Sequence, residues 1–313
     1  MTIQSVTQRP LTSYRGRFAP SPSGLLHFGS LIAALASYLD AKANNGKWLV
    51  RIEDIDPPRE KPGASTEILR TLEAYGLHWD EDVLYQSQQT AHYQLVLNEL
   101  AASSICYACQ CTRASIKKIG GIYQGHCRDL ALPLPASLFK ANDFPTTTED
   151  VALRIKNTAG ISQYTDIIQG KVACNQALAE EDFIIHRKDG LFAYQLAVVF
   201  DDIYQGISHV VRGCDLLEPT ARQLSLFKIF GIQAPSYAHV PLAVTDEGYK
   251  LSKQNKAPAI DIKRPQPALV AALKFLGQNA ENSLLDASVE ELLQSAISQW
   301  RIDQVPKQAE ISL

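Results

Sequence analysis

No stretch of this sequence reaches the roughly 18 uninterrupted apolar residues that a bilayer-spanning helix needs, so no such helix is expected. The opening Met1 to Pro10 is polar and lacks the apolar centre of a secretory signal, and the protein is expected to be soluble, unexported and cytoplasmic. No internal repeat is visible, which leaves out fibrous and solenoid arrays. A large excess of one charge is also missing. With 30 basic and 33 acidic residues the formal net charge is -3, which argues against nucleic-acid binding by the whole surface but allows local basic patches. A disulfide framework is absent too: Cys106, Cys109, Cys111 and Cys127 crowd one short segment while Cys174 and Cys214 stand alone, a pattern that points to a metal site. What remains is an ordinary soluble composition, 46% hydrophobic and 20% charged, in 313 residues, enough to bury a substantial core. A monomer is expected.

Tyr14 to Ala19 reads as a strand, which Pro20-Ser21-Pro22-Ser23-Gly24 breaks with turn formers. Leu31, Ile32, Leu35, Tyr38 and Leu39 then recur at helical spacing as far as Asn44-Asn45-Gly46, a left-handed stop, and Trp48 to Ile52 reads as a buried strand. This order of strand, turn, helix and strand implies a parallel sheet with its ligand at the carboxyl ends of the strands. A second helix is expected from about Ser65 to Tyr75. From about Gln88 to Asp182 the character changes to a helix, the cysteine cluster and a Pro-rich, Thr-rich passage, and apolar patterning returns at Phe183 to Ile185, Leu196 to Phe200 and His209 to Val211. The expected fold is α/β. A Rossmann-like nucleotide-binding domain is split into 14–92 and 183–264, a zinc-containing subdomain is inserted at 93–182, and short helices occupy 265–313.

The turn from Arg17 to Ser30 joins the first strand to the first helix. Gly24 and Gly29 let backbone approach a ligand closely, and the helix start offers N–H groups to an anion, so a phosphate fits there. The spacing mimics a P-loop, yet Ser30 stands where that motif has Lys, and the P-loop mechanism lacks its cation. His27 supplies a donor instead. Taken singly, each of these residues fits a corner-shaping turn equally well. Far along the chain, Lys250-Leu251-Ser252-Lys253-Gln254 opens a basic run that ends at Arg264; alone, it reads as a solvated loop.

Together the two segments resemble the class I aminoacyl-tRNA synthetases, whose His-x-Gly-His-like and Lys-Met-Ser-Lys-Ser motifs serve the nucleotide site. Within that class the chain is most similar to the glutamyl group, with its Phe-Ala-Pro-Ser-Pro-Thr-Gly-x-Leu-His run. It departs at Ser23, at Ser30 and at Gln254. The resemblance implies ATP-dependent activation of L-glutamate as an adenylate. ATP, as its Mg²⁺ complex, would meet Gly24, His27, Gly29, Ser30 and Lys253, and His27, Lys250 and Lys253 would serve catalysis by balancing charge on the departing pyrophosphate. Glutamate requires cations for its carboxylates and an acceptor for its ammonium. The resemblance assigns its contacts to Arg17, Phe18, Ala19, Pro20, Ser21, Glu53, Tyr194 and Arg212, and it places Cys214 where the family often has an acid. The likeness spans most of Tyr14 to Lys263, and the large helical anticodon-binding portion of the longer enzymes is not expected. Pro-Ser-Pro-Ser-Gly, Ile-Glu-Asp-Ile-Asp-Pro-Pro-Arg, Gly-Gly-Ile-Tyr-x-Gly-His-Cys-Arg and Lys-Leu-Ser-Lys-Gln resemble a truncated subgroup of the family. That subgroup activates glutamate without tRNA and places it on the queuosine base in the anticodon loop of tRNA(Asp). Charging the 3′ end of tRNA(Glu), or a noncatalytic tRNA-binding role, are the competing expectations.

The cysteine segment offers more ligands than one zinc ion needs. Chemistry alone favours three or four thiolates, or His126 among them. The resemblance instead selects Cys109, Cys111, Tyr123 and Cys127 around one structural Zn²⁺.

Overall fold

The computed structural model describes residues 13–135, 151–245 and 258–313. β1 (Arg15–Phe18), α1 (Phe28–Ala43) and β2 (Lys47–Ile52) form the expected unit, with β1 parallel to β2. The apolar stripe of α1 is buried, and the helix stops where Asn45 takes a left-handed conformation at φ 52°. α2 (Ala64–Ala74) leads to β3 (Leu84–Tyr85), parallel to β2.

The chain then departs from the parallel sheet. α3 (Thr90–Ala102), β4 (Cys106–Cys109), α4 (Arg113–Lys118) and β5 (Ala152–Ile155) follow, with β4 and β5 antiparallel. The hairpin of β6 (Gln163–Asp166) and β7 (Gly170–Ala173) comes next, then α5 (Gln176–Glu180) and β8 (Ile184–His186), which pairs with the other edge of β5.

α6 (Tyr194–Tyr204), β9 (His209–Gly213), α7 (Thr220–Phe230) and β10 (Ser236–Val240) restore the α/β pattern, and β10 is parallel to β9. Strands β1 and β9 adjoin at their starts, where Ser208 N–H donates to the Arg15 carbonyl at 3.0 Å and Arg15 N–H to Ser208 Oγ at 2.8 Å. The carboxyl ends of β1, β2 and β9 therefore open side by side.

β11 (Leu242–Val244), α8 (Gln266–Phe275), α9 (Val289–Gln299) and β12 (Glu310–Ser312) complete the chain. The stretch after 264 holds α8 and α9 and closes with a strand, β12 parallel to β11, too short to show a period in sequence.

One core joins α1 and β2 to the last helices through Leu31, Leu35, Trp48, Val50, Leu269, Leu273 and Leu292. Another gathers Tyr93, Leu97, Leu153, Ile185, Leu196, Val199 and Leu226 from α3, β5, β8, α6 and α7. A small third cluster surrounds Cys109, Tyr123 and Cys127. Among the described residues no helix is long and apolar enough to cross a membrane.

Candidate active site

The turn after β1 leads into α1 through Gly24, whose φ of 145° suits a residue without Cβ. His27 caps α1 reciprocally with Ser30: the imidazole Nδ1 accepts from Ser30 N–H at 3.3 Å, and Ser30 Oγ accepts from His27 N–H at 2.9 Å. An Nδ1 that accepts carries its lone pair there, so Nε2 bears the imidazole proton and is a donor. The helix start and this N–H together make a place for an anion. Leu26 and His27 are also met by chain that follows the basic motif: His27 bridges to Ala259, and Ile260 N–H donates to the Leu26 carbonyl at 3.2 Å. Lys250 and Lys253 themselves lie outside the described residues.

Below the turn, an open cleft of ≈ 320 Å³ is lined by Ser21, Pro22, Ser23, Glu53, Asp56 and Lys61 among others. Glu53 N–H donates to the Pro20 carbonyl at 3.0 Å, which fixes the acid beside Ser21. Withdrawal from water pushes its carboxyl up to about 7, with Arg51 and Arg17 opposing and Asp201 and Asp202 adding. Phe18 is buried at the end of β1, Pro20 is buried in the turn, and Ala19 lies half-buried between them.

The buried charges behind the cleft are shared unequally. Arg17 donates to both oxygens of Asp202 at 3.2 and 3.3 Å, and Arg51 donates to Asp202 Oδ1 at 2.6 Å. Asp201 accepts from Tyr93 and Gln86, and burial pushes it up to about 6 against the pull of Arg51. Arg17 and Arg51 are thus neutralised within the protein. Arg212 is not. Its Nη2 donates to Thr220 Oγ1 and Gln223 Oε1, each at 2.7 Å, and its Nε to His239 Nε2 at 3.1 Å. These acceptors bring no carboxylate, so the guanidinium keeps its charge while being only 5% exposed. Its Nη1 and the phenol of Tyr237 are buried with no hydrogen-bond partner among the described residues. Such orphans are rare in native interiors, and a polar ligand would complete them. Tyr194, at the start of α6, lies within electrostatic reach of Glu53, Arg212 and Arg17.

The structure thus brings Arg17, Glu53, Tyr194 and Arg212 to one place at the sheet's carboxyl edge. Asp202, Arg51 and His239 were not among the expected site residues. A charge inside the apolar strand Trp48 to Ile52, and two acids ending the apolar run of α6, were the available signals. Cys214 is a buried thiol, pushed up to about 12 chiefly by burial, whose S–H faces the His239 carbonyl at 3.5 Å.

The sulfurs of Cys109, Cys111 and Cys127 lie within 4.8 Å of one another, and those of Cys111 and Cys127 are 3.6 Å apart. Tetrahedral zinc with bonds of about 2.3 Å holds its sulfurs about 3.8 Å apart, so the set can hold a metal ion. Tyr123 Oη accepts from Cys127 N–H at 2.7 Å, and its ring lies under Arg154, whose Nε donates to Cys109 Sγ at 3.3 Å. Cys106 packs in the core of α3 and α6, away from this cluster, and His126 is exposed.

Residues 13–284 match the catalytic domain of the class I tRNA synthetases (E and Q), and the chain belongs to that family of aminoacyl-tRNA synthetase-type enzymes. More narrowly, it is 61% identical over 311 residues to the glutamyl-Q tRNA(Asp) synthetase of Colwellia psychrerythraea (strain 34H), spanning 96% of this chain and 94% of that one. It is 56% identical over 298 residues to the protein of the same name from Escherichia coli (strain K12), spanning 95% and 92%. Among solved structures, a glutamate-tRNA synthetase from Elizabethkingia anophelis superposes with a TM-score of 0.76 at 26% identity, covering 96% of this chain and 68% of that one.

Proposed function

We propose that this enzyme activates L-glutamate with ATP and transfers it to queuosine in the anticodon loop of tRNA(Asp). The charge pattern around Glu53 and Tyr194 carries the first half of that conclusion. Arg212 keeps an unspent positive charge, with one buried nitrogen unpartnered among the described residues, and Glu53 supplies an acid nearby. An amino acid with a second carboxylate satisfies both. The second half rests on full-length likeness to proteins named glutamyl-Q tRNA(Asp) synthetase.

In this scheme the α-carboxylate of glutamate attacks the α-phosphorus of ATP. The bond from that phosphorus to the bridging oxygen breaks, and pyrophosphate departs. His27 Nε2–H and the start of α1, with Gly24, Gly29 and Ser30 around them, meet charge on the phosphates. Lys253, aided by Lys250, meets the leaving group, and Mg²⁺ arriving with ATP supplies further neutralisation. Arg212 orients the side-chain carboxylate with Tyr194, Arg17 lies beside them with its charge balanced by Asp202, and Glu53 and Ser21 receive the ammonium against the wall of Phe18, Ala19 and Pro20. A hydroxyl of the queuosine ring then attacks the adenylate carbonyl, releasing AMP and leaving an ester. One structural Zn²⁺, held by Cys109, Cys111, Cys127 and Tyr123, would tie the inserted segment 93–182 together, beside the split catalytic domain of 14–92 and 183–264.

Transfer of radiolabelled glutamate tests this directly. Label should appear on tRNA(Asp) that carries queuosine and be missing from tRNA(Asp) without it. Equal labelling of both, or preference for tRNA(Glu), defeats the assignment.

A further inference from the structure

Behind Arg212 lies a buried pair that the proposed binding set does not include. Asp166, at the end of β6, is 1% exposed, and its Oδ1 accepts from the N–H groups of Ile168, Gln169 and His239 at 3.0, 2.9 and 3.1 Å. Its Oδ2 meets His239 Nδ1 at 2.6 Å. His239, on β10, is wholly buried and stacks on Tyr237. Its other nitrogen, Nε2, faces Arg212 Nε at 3.1 Å.

The chemistry of the partners fixes the proton. A guanidinium only donates, so Nε2 must present a lone pair, and the imidazole proton sits on Nδ1, directed at the Asp166 carboxylate. The Thr220 hydroxyl gives its own proton to the Leu216 carbonyl at 2.7 Å and therefore accepts from Arg212. The His239, Thr220 and Gln223 side chains that accept from Arg212 are accordingly all neutral, and the Asp166 carboxylate meets it only through the imidazole. A carboxylate in direct contact would hold the guanidinium equally well but cancel its charge, as Asp202 does for Arg17.

We propose that Asp166 and His239 are a positioning pair for substrate binding: Asp166 fixes the Nδ1–H tautomer, and the neutral imidazole turns Arg212 so that Nη1 is presented to the side-chain carboxylate of the amino acid with its charge undiminished. This rests on the assignment of glutamate to that cleft. Neither residue touches the substrate, so both act through Arg212.

The test uses the full chain in glutamate-dependent ATP–pyrophosphate exchange. His239→Ala should raise the KM for glutamate roughly tenfold, the loss of one hydrogen bond to a charged group, with the KM for ATP unchanged. His239→Gln places an amide oxygen near the position of Nε2 and should recover most of that loss. Asp166→Asn lets an amide N–H face Nδ1, allows the opposite tautomer, and should raise the glutamate KM as His239→Ala does. A glutamate KM within about twofold of the parent, or an ATP KM rising in parallel, would overturn the pair's role. Nitrogen NMR of the unmutated protein gives a readout that no folding defect can disturb: His239 should be neutral with its proton on Nδ1, and a proton on Nε2 overturns the proposal. If the parent enzyme shows no exchange with glutamate, the cleft assignment itself is wrong, a result distinct from the others.

Discussion

Glu53→Gln is expected to make the ligand-free protein more stable at neutral and higher pH. The acid is half-buried in the wall of the cleft, and the water it loses there raises its carboxyl from an ordinary value near 4.5 to about 7. Because the folded chain binds that proton more tightly than the unfolded chain, stability is fully present below about 4.5 and is lost as pH rises through 7. At 1.36 kcal/mol per pH unit the difference amounts to at most about 3 kcal/mol, and partial exposure to solvent reduces it. Asp201, pushed up to about 6, imposes a loss of the same sign, but it is present in both proteins and largely drops out of their difference. Urea unfolding of both chains at pH 4.5 and pH 8.5, without substrates, measures the effect. The Gln variant should gain on its parent by about 2–3 kcal/mol between those pH values. A difference that does not change with pH would refute the account of Glu53 as a strained acid. Excess glutamate should narrow the gap at high pH, since an ammonium beside Glu53 favours its charged form.

Asp202→Asn should destabilise by about 3–5 kcal/mol, because it strips the shared carboxylate from the buried Arg17 and Arg51; a fall in the urea midpoint checks this, and a change below about 1 kcal/mol would contradict the pairing. Cys111→Ser should abolish roughly one equivalent of bound zinc per chain and lower the melting temperature, as measured by metal analysis and calorimetry, whereas Cys106→Ser should leave metal content unchanged. Lys253→Ala should lose about 2–4 kcal/mol of transition-state stabilisation in pyrophosphate exchange; unchanged exchange removes that lysine from the mechanism.

The β1, α1 and β2 unit was legible because its two periodicities are both strong and its stop signals are local. Glu53, Tyr194 and Arg212 were legible only through motif context, since a lone acid, phenol or guanidinium is more often a structural partner. Asp166 and His239 left no such trace. They stand 73 residues apart, neither belongs to a run, and only the fold puts β6 against β10. Cys106 is set apart only once β4 is known: three positions before Cys109 in that strand, it points to the opposite face, since side chains alternate with a period of two. His126 and Tyr123 could not be ranked by spacing, because both stand within four residues of Cys127; in the fold Tyr123 is buried with the sulfurs and His126 is exposed.

The last helices are more than an appendage. Phe275 of α8 meets Phe28, the first residue of α1, edge to face, and Trp300 donates to the buried Asp40 near that helix's far end, where Tyr14 also donates. The helix that carries His27 and Ser30 is thereby clamped along its length by residues drawn from the chain's final fifty. Exchanging this tail for that of another protein would therefore misalign the phosphate turn, and graft experiments that treat it as an interchangeable module should yield folded chains with poor nucleotide affinity.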